Sequence, residues 1–203
     1  MRAMEASVET RLDTALRNAG IVRSRDLEAA GISRTQISRL VADGRLHRIE
    51  HGLYTSPDYL GTEHSALVAV AKRAPQALFC LLTALRFHDL TTQSPSEVWI
   101  AIGNKEHPPR LDYPPLRTVR FSAASLRHGV ETREVDGVAL RVTNPAKTVT
   151  DCFKFRNKVG LDVALEALRD ARRGGKATAD DLWRYATMNR VANVMRPYLE
   201  AVS

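Results

Sequence analysis

Cysteines are scarce and long apolar runs are missing, and both absences narrow the class of protein. Of 203 residues only two are cysteines, Cys80 and Cys152, and they form no Cys-x-x-Cys pair, so paired-cysteine zinc and thiol–disulfide motifs are excluded. No apolar run reaches the ~18 residues of a membrane-spanning helix, and no secretory signal pattern is present. We therefore expect a cytoplasmic protein with two buried thiols and no membrane partner.

Familiar catalytic patterns are also missing. There is no Gly-Ser dipeptide, Asp-x-Asp pair or Gly-x-Ser-x-Gly motif, so neither a nucleotidyltransferase nor a serine-hydrolase site is predicted. A nuclease is the better enzyme alternative, because its metal needs converging carboxylates and a lysine. Glu97, Asp112, Glu131 and Glu134 lie on or near predicted strands, but none belongs to a compact Asp…Glu-x-Lys pattern. The prediction is no enzyme activity, no catalytic residue, no cofactor and no metal.

The charge of the chain is +7 with an isoelectric point near 9.8, which is compatible with a polyanionic partner. The excess is uneven. Residues 1–60 hold nine Arg and Lys against eight Asp and Glu, whereas residues 61–203 hold 21 against 15. Bulk charge therefore does not make the N-terminal part a nucleic-acid binder, and only the local placement of cations can.

Three short helices are predicted at the N-terminus. Apolar residues recur at helical spacing from Glu5 to Asn18, a second helix surrounds Leu27, and a third starts at Ser33 and ends before Gly44. Ser33 and Gln36 form a capping-box pattern at the start of the third. The last two helices, joined by a turn around Gly31, fit a helix-turn-helix.

The third helix has one apolar stripe and one polar face. Ile37, Leu40 and Val41 form the stripe, so the opposite face is free to approach a base edge or a phosphate. An arginine such as Arg39 can reach guanine, and the helix start suits a phosphate. The DNA-binding candidates on this helix are Arg34, Thr35, Gln36, Ser38 and Arg39. An ordinary solvated surface helix has the same pattern, so the helix alone does not decide the function.

The segment "GRLHRIEHGLYTS" predicts a β-hairpin directly after that helix. Two strand-like pieces flank Glu50-His51-Gly52, and His47, Arg48 and His51 are the polar, exposed positions. A hairpin after a recognition helix is the wing of a winged helix, whose basic tip binds the phosphate backbone or the minor groove. We therefore predict a winged helix-turn-helix DNA-binding domain over residues 1–58.

Residues 59–203 predict a larger domain with a small, mostly antiparallel sheet and several helices, so the fold class is α+β. Helices are expected over 62–74 and 75–88, the second apolar nearly all round. Period-2 patterns then predict strands in "EVWIAI", "TVRF", "VETREV" and "VALRV", and Asp136-Gly137 between the last two is a hairpin signal.

A second helical phase follows the strands. Asn144 and Pro145 are the expected cap and first residue of a helix, "LDVALEALRDARRGG" predicts an amphipathic helix that ends at Gly174, and Thr178 with Asp181 caps the next. Pro197 is expected to kink or break the last helix.

Two stretches resemble the AbiEi family, the antitoxins of type IV toxin–antitoxin systems. "GIVRSRDLEAAGISRTQISRLVADGRLHRIEHGLYTSP" resembles its N-terminal domain, and "VTNPAKTVTDCFKFR" resembles a second recurring stretch; the resemblance covers roughly residues 5–175. It implies a winged-helix repressor of its own operon, bound to operator repeats, that opposes a nucleotidyltransferase-like toxin without a stable complex. It also implies the DNA-binding role for the helix and wing residues above. Lys147, Thr148 and Asp151 match the second stretch, and the first and last of these can pair.

A basic cluster at the end of one C-terminal helix has two explanations. Arg169, Arg172, Arg173 and Lys176 are cations at a helix C-terminus, where the helix dipole favours them. They also fit a second nucleic-acid surface. A further alternative concerns the N-terminal domain: it can be a protein-interaction module that blocks a partner without binding DNA, which the near-neutral charge of residues 1–60 favours.

Overall fold

A computed structural model describes residues 2–202, apart from the side chains of residues 2–7 and 18–19. It divides into two compact units. The N-terminal unit contains the described residues up to Pro75 with Arg110–Pro114 and Glu134–Leu140. The C-terminal unit contains Gln76–Pro109, Pro115–Arg133 and the described residues from Arg141 onwards.

The N-terminal unit begins as the sequence predicts, with one additional strand. Its elements are α1 (Arg2–Ala19), β1 (Ile21–Arg23), α2 (Ser24–Ala29), α3 (Arg34–Ala42), β2 (His47–Glu50), β3 (Leu53–Thr55) and α4 (Ser65–Arg73). Strand β1 was not predicted, because three residues between two helices carry too little periodicity to be recognised. It pairs antiparallel with β3, which also pairs with β2, so the hairpin becomes a three-stranded sheet.

The first three helices enclose an apolar core, and the small sheet lies against a second one. The first core contains the buried residues Val8, Leu12, Val22, Leu27, Ile32, Ile37 and Leu46. The second contains Ile21, Leu53, Val68 and Ala69. The successive residues Ile21 and Val22 of β1 therefore anchor different cores, because neighbouring side chains of a strand point to opposite faces. This architecture confirms the predicted winged helix.

A five-stranded sheet follows in the order β6-β5-β4-β8-β7. Its strands are β4 (Leu78–Phe79), β5 (Val98–Gly103), β6 (Leu116–Phe121), β7 (Val130–Val135) and β8 (Val138–Thr143). The β7–β8 hairpin turns at Asp136-Gly137, where both residues have positive φ, as that dipeptide predicts. The α+β class is confirmed, but this sheet is mixed rather than mostly antiparallel, because β4 runs parallel to β8 and β5 runs parallel to β6.

The prediction of a single helix over residues 75–88 was wrong. The structure has β4 at Leu78–Phe79 and then a shorter helix, α5 (Leu81–Phe87). Between them Cys80 is extended and its N–H donates to the carbonyl of Trp99 on β5. Residues 77–81 are all buried, so their apolar run fits a central strand as well as a buried helix, and periodicity cannot distinguish the two.

The helices after the sheet are α6 (Pro145–Lys154), α7 (Arg156–Val159), α8 (Leu161–Arg173), α9 (Ala179–Met188) and α10 (Ala192–Ala201). The caps are confirmed: Asn144 Oδ1 accepts from the N–H of Lys147, and Thr178 Oγ1 accepts from that of Asp181. The expected break at Pro197 was wrong, since α10 runs through it. Helix α6 is central and packs against α5, α8 and α9.

Candidate nucleic-acid interface

Helix α3 is held by its own cap and by one deeply buried side chain. The N–H of Ser33 donates to Gln36 Oε1 at 2.8 Å, and Ser33 Oγ accepts from the N–H of Gln36 at 3.4 Å. Ile37 is 3% exposed, and Leu40 and Val41 pack around the same core. Gln36, one of the DNA-binding candidates, is therefore half-buried with its amide oxygen engaged in the cap.

The opposite face of α3 is open to solvent. Thr35, Ser38 and Arg39 are exposed, and in the described part of the chain their side chains form no hydrogen bond or ion pair. Arg34 is also exposed, but its guanidinium pairs with Glu28 on α2, and this carboxylate raises the pKa of Arg34 further. The guanidinium of Arg39 is thus the uncompensated cation of this face, while Arg34 shares its charge with a neighbour.

The wing is a short hairpin with an irregular register. His47 faces Thr55 and Arg48 faces Tyr54, and a bulge then brings Glu50 opposite Leu53. Gly52 adopts φ +78° at the turn, a conformation that costs little only for glycine. His47, Arg48 and His51 are all exposed, as predicted.

Next to its turn, the wing carries a buried carboxylate that the sequence did not reveal. Glu50 is 9% exposed, and its Oε1 accepts from the N–H of Asp112 at 3.0 Å. Its Oε2 has no hydrogen-bond partner in the described part of the chain. Glu50 therefore fixes the segment around Asp112 to the wing rather than facing solvent; no local pattern predicts this, because the two residues are far apart in sequence.

The basic cluster at the end of α8 divides into two pairs. Arg172 donates to the carbonyl of Ala177 at 3.4 Å, and Lys176 Nζ donates to the carbonyl of His88 and lies 3.7 Å from Asp89. Arg169 and Arg173 are exposed. Two of the four cations thus stabilise the local backbone, and the exposed pair is what a second nucleic-acid surface would use.

The "NPAKTVTDC" stretch forms a buried polar network. Lys147 and Asp151 are 0% exposed, and Lys147 Nζ lies 2.6 Å from Asp151 Oδ2, 3.0 Å from Ser125 Oγ and 4.5 Å from the centre of the Phe121 ring. Asn189 donates to the other Asp151 oxygen at 2.7 Å. The expected pairing along α6 is confirmed, and both side chains are completely buried.

Carboxylates on the strands are engaged in separate ion pairs. Glu97 pairs with Arg117 at 3.2 Å and Glu131 with Arg133 at 2.6 Å. Among the described residues, no group of three or more His, Cys, Asp or Glu is placed to hold a metal ion. Across residues 2–202, no helix is both long and apolar enough to cross a bilayer.

Comparison with known proteins finds a family match over the part of the chain that contains α3 and the wing. Residues 11–57 match a family model described as "Transcriptional regulator, AbiEi antitoxin", which confirms the resemblance of the N-terminal stretch; the match does not extend to "VTNPAKTVTDCFKFR". No curated protein matches the chain. The crystal structure of the Rv2827c protein from Mycobacterium tuberculosis is similar in fold, with a TM-score of 0.63 at 15% identity over 89% of this chain and 71% of that one.

Proposed function

Since residues 11–57 match the AbiEi antitoxin family of transcriptional regulators, we propose that the chain represses its own operon by binding operator DNA and acts as the antitoxin of a type IV toxin–antitoxin system. The toxin it counters is nucleotidyltransferase-like and is opposed without a stable complex. The protein works in the cytoplasm, with residues 1–58 as the DNA-binding domain and 59–203 as the antitoxin domain.

One observation carries the DNA-binding half of the proposal. The exposed face of α3 presents Thr35, Ser38 and Arg39, whose side chains have no hydrogen-bond or ion-pair partner among the described residues, and the exposed wing follows at once with His47 and Arg48. Of the two arginines of α3, Arg34 is paired with Glu28, which leaves Arg39 available to a ligand. The unpaired hydroxyls and guanidinium match what base edges and phosphates require.

Each candidate residue has a role in this proposal. Arg39 donates to guanine O6 and N7 in the major groove, while Thr35 and Ser38 contact bases or phosphate. The wing binds backbone phosphate. Arg34 binds phosphate at the start of α3 when its guanidinium leaves Glu28. Gln36 acts mainly by capping the start of α3. The full set is Arg34, Thr35, Gln36, Ser38, Arg39, His47, Arg48 and His51.

The test is a fluorescence-anisotropy titration with the duplex immediately upstream of the gene, beside a scrambled duplex. The wild type is expected to prefer the native duplex, and the Arg39→Ala/Arg48→Ala variant to lose that preference with its fold intact. Arg45→Ala is the matched control, because Arg45 is equally exposed but already pairs with Glu9 at 2.7 Å. Inverted repeats within the bound upstream duplex would fit a pair of half-sites.

Equal binding of both duplexes by the wild type would contradict the specific repressor. If neither the wild type nor the Arg39→Ala/Arg48→Ala variant binds either duplex, the result would instead support the protein-interaction alternative, in which α3 and the wing contact a protein partner. The near-neutral balance of residues 1–60 favours that alternative.

The antitoxin half is tested by growth. The protein and the nucleotidyltransferase-like product encoded beside it are expressed from separate inducible promoters, and growth is expected to be restored when both are present. Arg39→Ala/Arg48→Ala is expected to restore growth as well as the wild type, because the proposal assigns this activity to residues 59–203. Arg169→Ala/Arg173→Ala tests the second nucleic-acid surface: it reduces rescue or duplex affinity if that surface, with Arg172 and Lys176, is used.

A further inference from the structure

A basic cleft of about 230 Å³ lies in the N-terminal unit, beside the wing turn. It is formed where β1 ends, α2 begins, the wing turns and α4 ends. Five basic residues from these elements line it: Arg23, Arg25, His51, Lys72 and Arg73. They are separated by up to fifty positions in the sequence, so no local pattern reveals the cluster. Two of them, Lys72 and Arg73, lie outside the segment matched by the family model.

Arg23 connects the backbone segments that form the cleft through hydrogen bonds. Its Nε and Nη2 donate to the carboxylate of Asp26 at 2.9 and 2.8 Å, and its Nη1 donates to the carbonyl of Lys72 at 3.1 Å. The N–H of Ser24 donates to the carbonyl of Gly52 at 3.0 Å. The start of α2, the end of α4 and the wing turn are therefore held in fixed positions around the cleft.

The remaining cations of the cleft have no carboxylate bound to them within the described part of the chain. The carboxylate of Asp26 is already bound by Arg23. Arg25 and Arg73 are exposed and Lys72 is half-buried, and none of the three forms an ion pair with another described residue. Burial lowers the pKa of Lys72, as does the charge of Arg23, whereas Asp26 opposes the shift. Like charges gathered in a concave site repel each other, and a bound anion relieves that repulsion.

The helix dipole explains only part of the cluster. Lys72 and Arg73 lie in the last turn of α4, where cations are favourable. Arg25 in the first turn of α2 has the opposite relation to its helix dipole, and His51 lies on the wing. A common anionic ligand accounts for cations converging from all four elements.

We propose that this cleft binds a backbone phosphate of duplex DNA, adjacent to the stretch of backbone held by the wing. The proposal rests on the DNA-binding function proposed above. The cleft is continuous with His51 of the wing, and α2 is the first helix of the helix-turn-helix, which crosses the DNA backbone in such motifs. At about 230 Å³ it is smaller than the ~300–1,000 Å³ of small-molecule sites, so it fits a single phosphate.

Salt dependence tests the proposal, because each phosphate contact contributes about 0.9 to the slope of log affinity against log salt concentration. The variant is Arg25→Gln/Arg73→Gln, which changes two exposed side chains. Arg17→Gln/Arg45→Gln removes the same charge from two other exposed arginines of this unit that do not line the cleft. Anisotropy titrations from 50 to 200 mM salt are made with the upstream duplex and with a scrambled duplex. Melting temperatures are measured separately in sodium phosphate and in sodium chloride at equal ionic strength.

For the cleft variant, the expected salt slope is smaller by about 0.9 per phosphate contact removed, and its affinity falls by the same factor on both duplexes. The control variant is expected to keep the wild-type slope. A wild type that binds neither duplex refutes the repressor and this inference with it. Wild-type binding with an unchanged slope in the cleft variant overturns this inference alone, as does a loss confined to the native duplex. A third outcome identifies a small-anion site instead. In that case inorganic phosphate raises the melting temperature of the wild type but not of the cleft variant, and the cleft variant keeps the wild-type salt slope.

Discussion

Replacing Lys147 by methionine tests the buried network of α6 most directly. Methionine fills much of the same volume but leaves the Asp151 carboxylate with Asn189 as its remaining side-chain donor. Removing one partner of a buried ion pair typically costs about 3–5 kcal/mol, because the other charge stays desolvated. Both residues are 0% exposed, so solvent cannot compensate, and we expect Lys147→Met to lower the free energy of unfolding by about that amount at pH 7.5.

The pH dependence of the loss identifies its cause. Burial raises the pKa of Asp151, while Lys147 and Asn189 oppose the rise; without Lys147 the pKa rises further. A carboxyl whose folded pKa exceeds its unfolded value binds more protons when folded, so stability is lost as pH rises from the unfolded pKa through the folded one. The loss is up to about 1.4 kcal/mol per pH unit in that window. The difference between variant and wild type should therefore be smaller at pH 5 than at pH 7.5.

Urea denaturation followed by tryptophan fluorescence measures this effect, because Trp99 and Trp183 are the only tryptophans and both lie in the C-terminal unit. Lys154→Met, on the exposed side of the same helix, is the control and should change stability by less than about 0.5 kcal/mol. Lys147→Met/Asp151→Leu should recover most of the loss, since no buried charge remains. A variant as stable as the wild type, or a deficit that does not shrink at pH 5, would refute the reasoning.

Three further outcomes are expected. Ser33→Ala removes the cap of α3 and should cost about 1 kcal/mol, measured by thermal melting against the exposed Ser38→Ala; no change would mean that Gln36 alone maintains the helix start. Gly129→Ala should destabilise the protein by more than about 1 kcal/mol, because φ is +67° and the new methyl would lie 2.7 Å from Lys147 Cδ and 2.8 Å from Tyr185 Cε1; a neutral result in urea denaturation would show that these contacts relax. Burial raises the pKa of both Cys80 and Cys152 well above the usual thiol value, so a thiol-specific reagent should label neither in the native protein and both in denaturant; rapid native labelling would contradict the burial of the thiols.

Local signals were sufficient to predict the elements that have local causes. The cap at Ser33, the Asn144-Pro145 helix start and the Asp136-Gly137 turn each depend on residues a few positions apart, and the structure confirms all three. β4 lies in an apolar run and was assigned to a helix, because its pairing with β5 and β8 depends on residues far along the chain. Tertiary context decides such segments.

The candidate interface shows the same division. Exposure of Arg39 and the wing follows from amphipathic spacing and was predicted. The partner of Arg34 was not, because Glu28 lies on another helix whose orientation depends on the fold. The basic cleft was missed entirely, since Arg25 and Arg73 have unremarkable neighbours in the sequence and meet only in the folded unit. The roles of these residues in binding remain predictions.

The two-residue strand β4 has a consequence for the order in which the protein assembles. Leu78 pairs with Ala101 on one side and with Arg141 on the other, so β4 joins β5 to β8 across the middle of the sheet. During synthesis β4, β5 and β6 emerge well before β8, whereas the winged helix has all its strands by Thr55. Because N-terminal segments fold first as they are made, the three wing strands would be paired while Phe79 still lacks its neighbour on β8. A nascent chain arrested before β8 would hold three of the five strands, β6, β5 and β4, with β4 as an open edge.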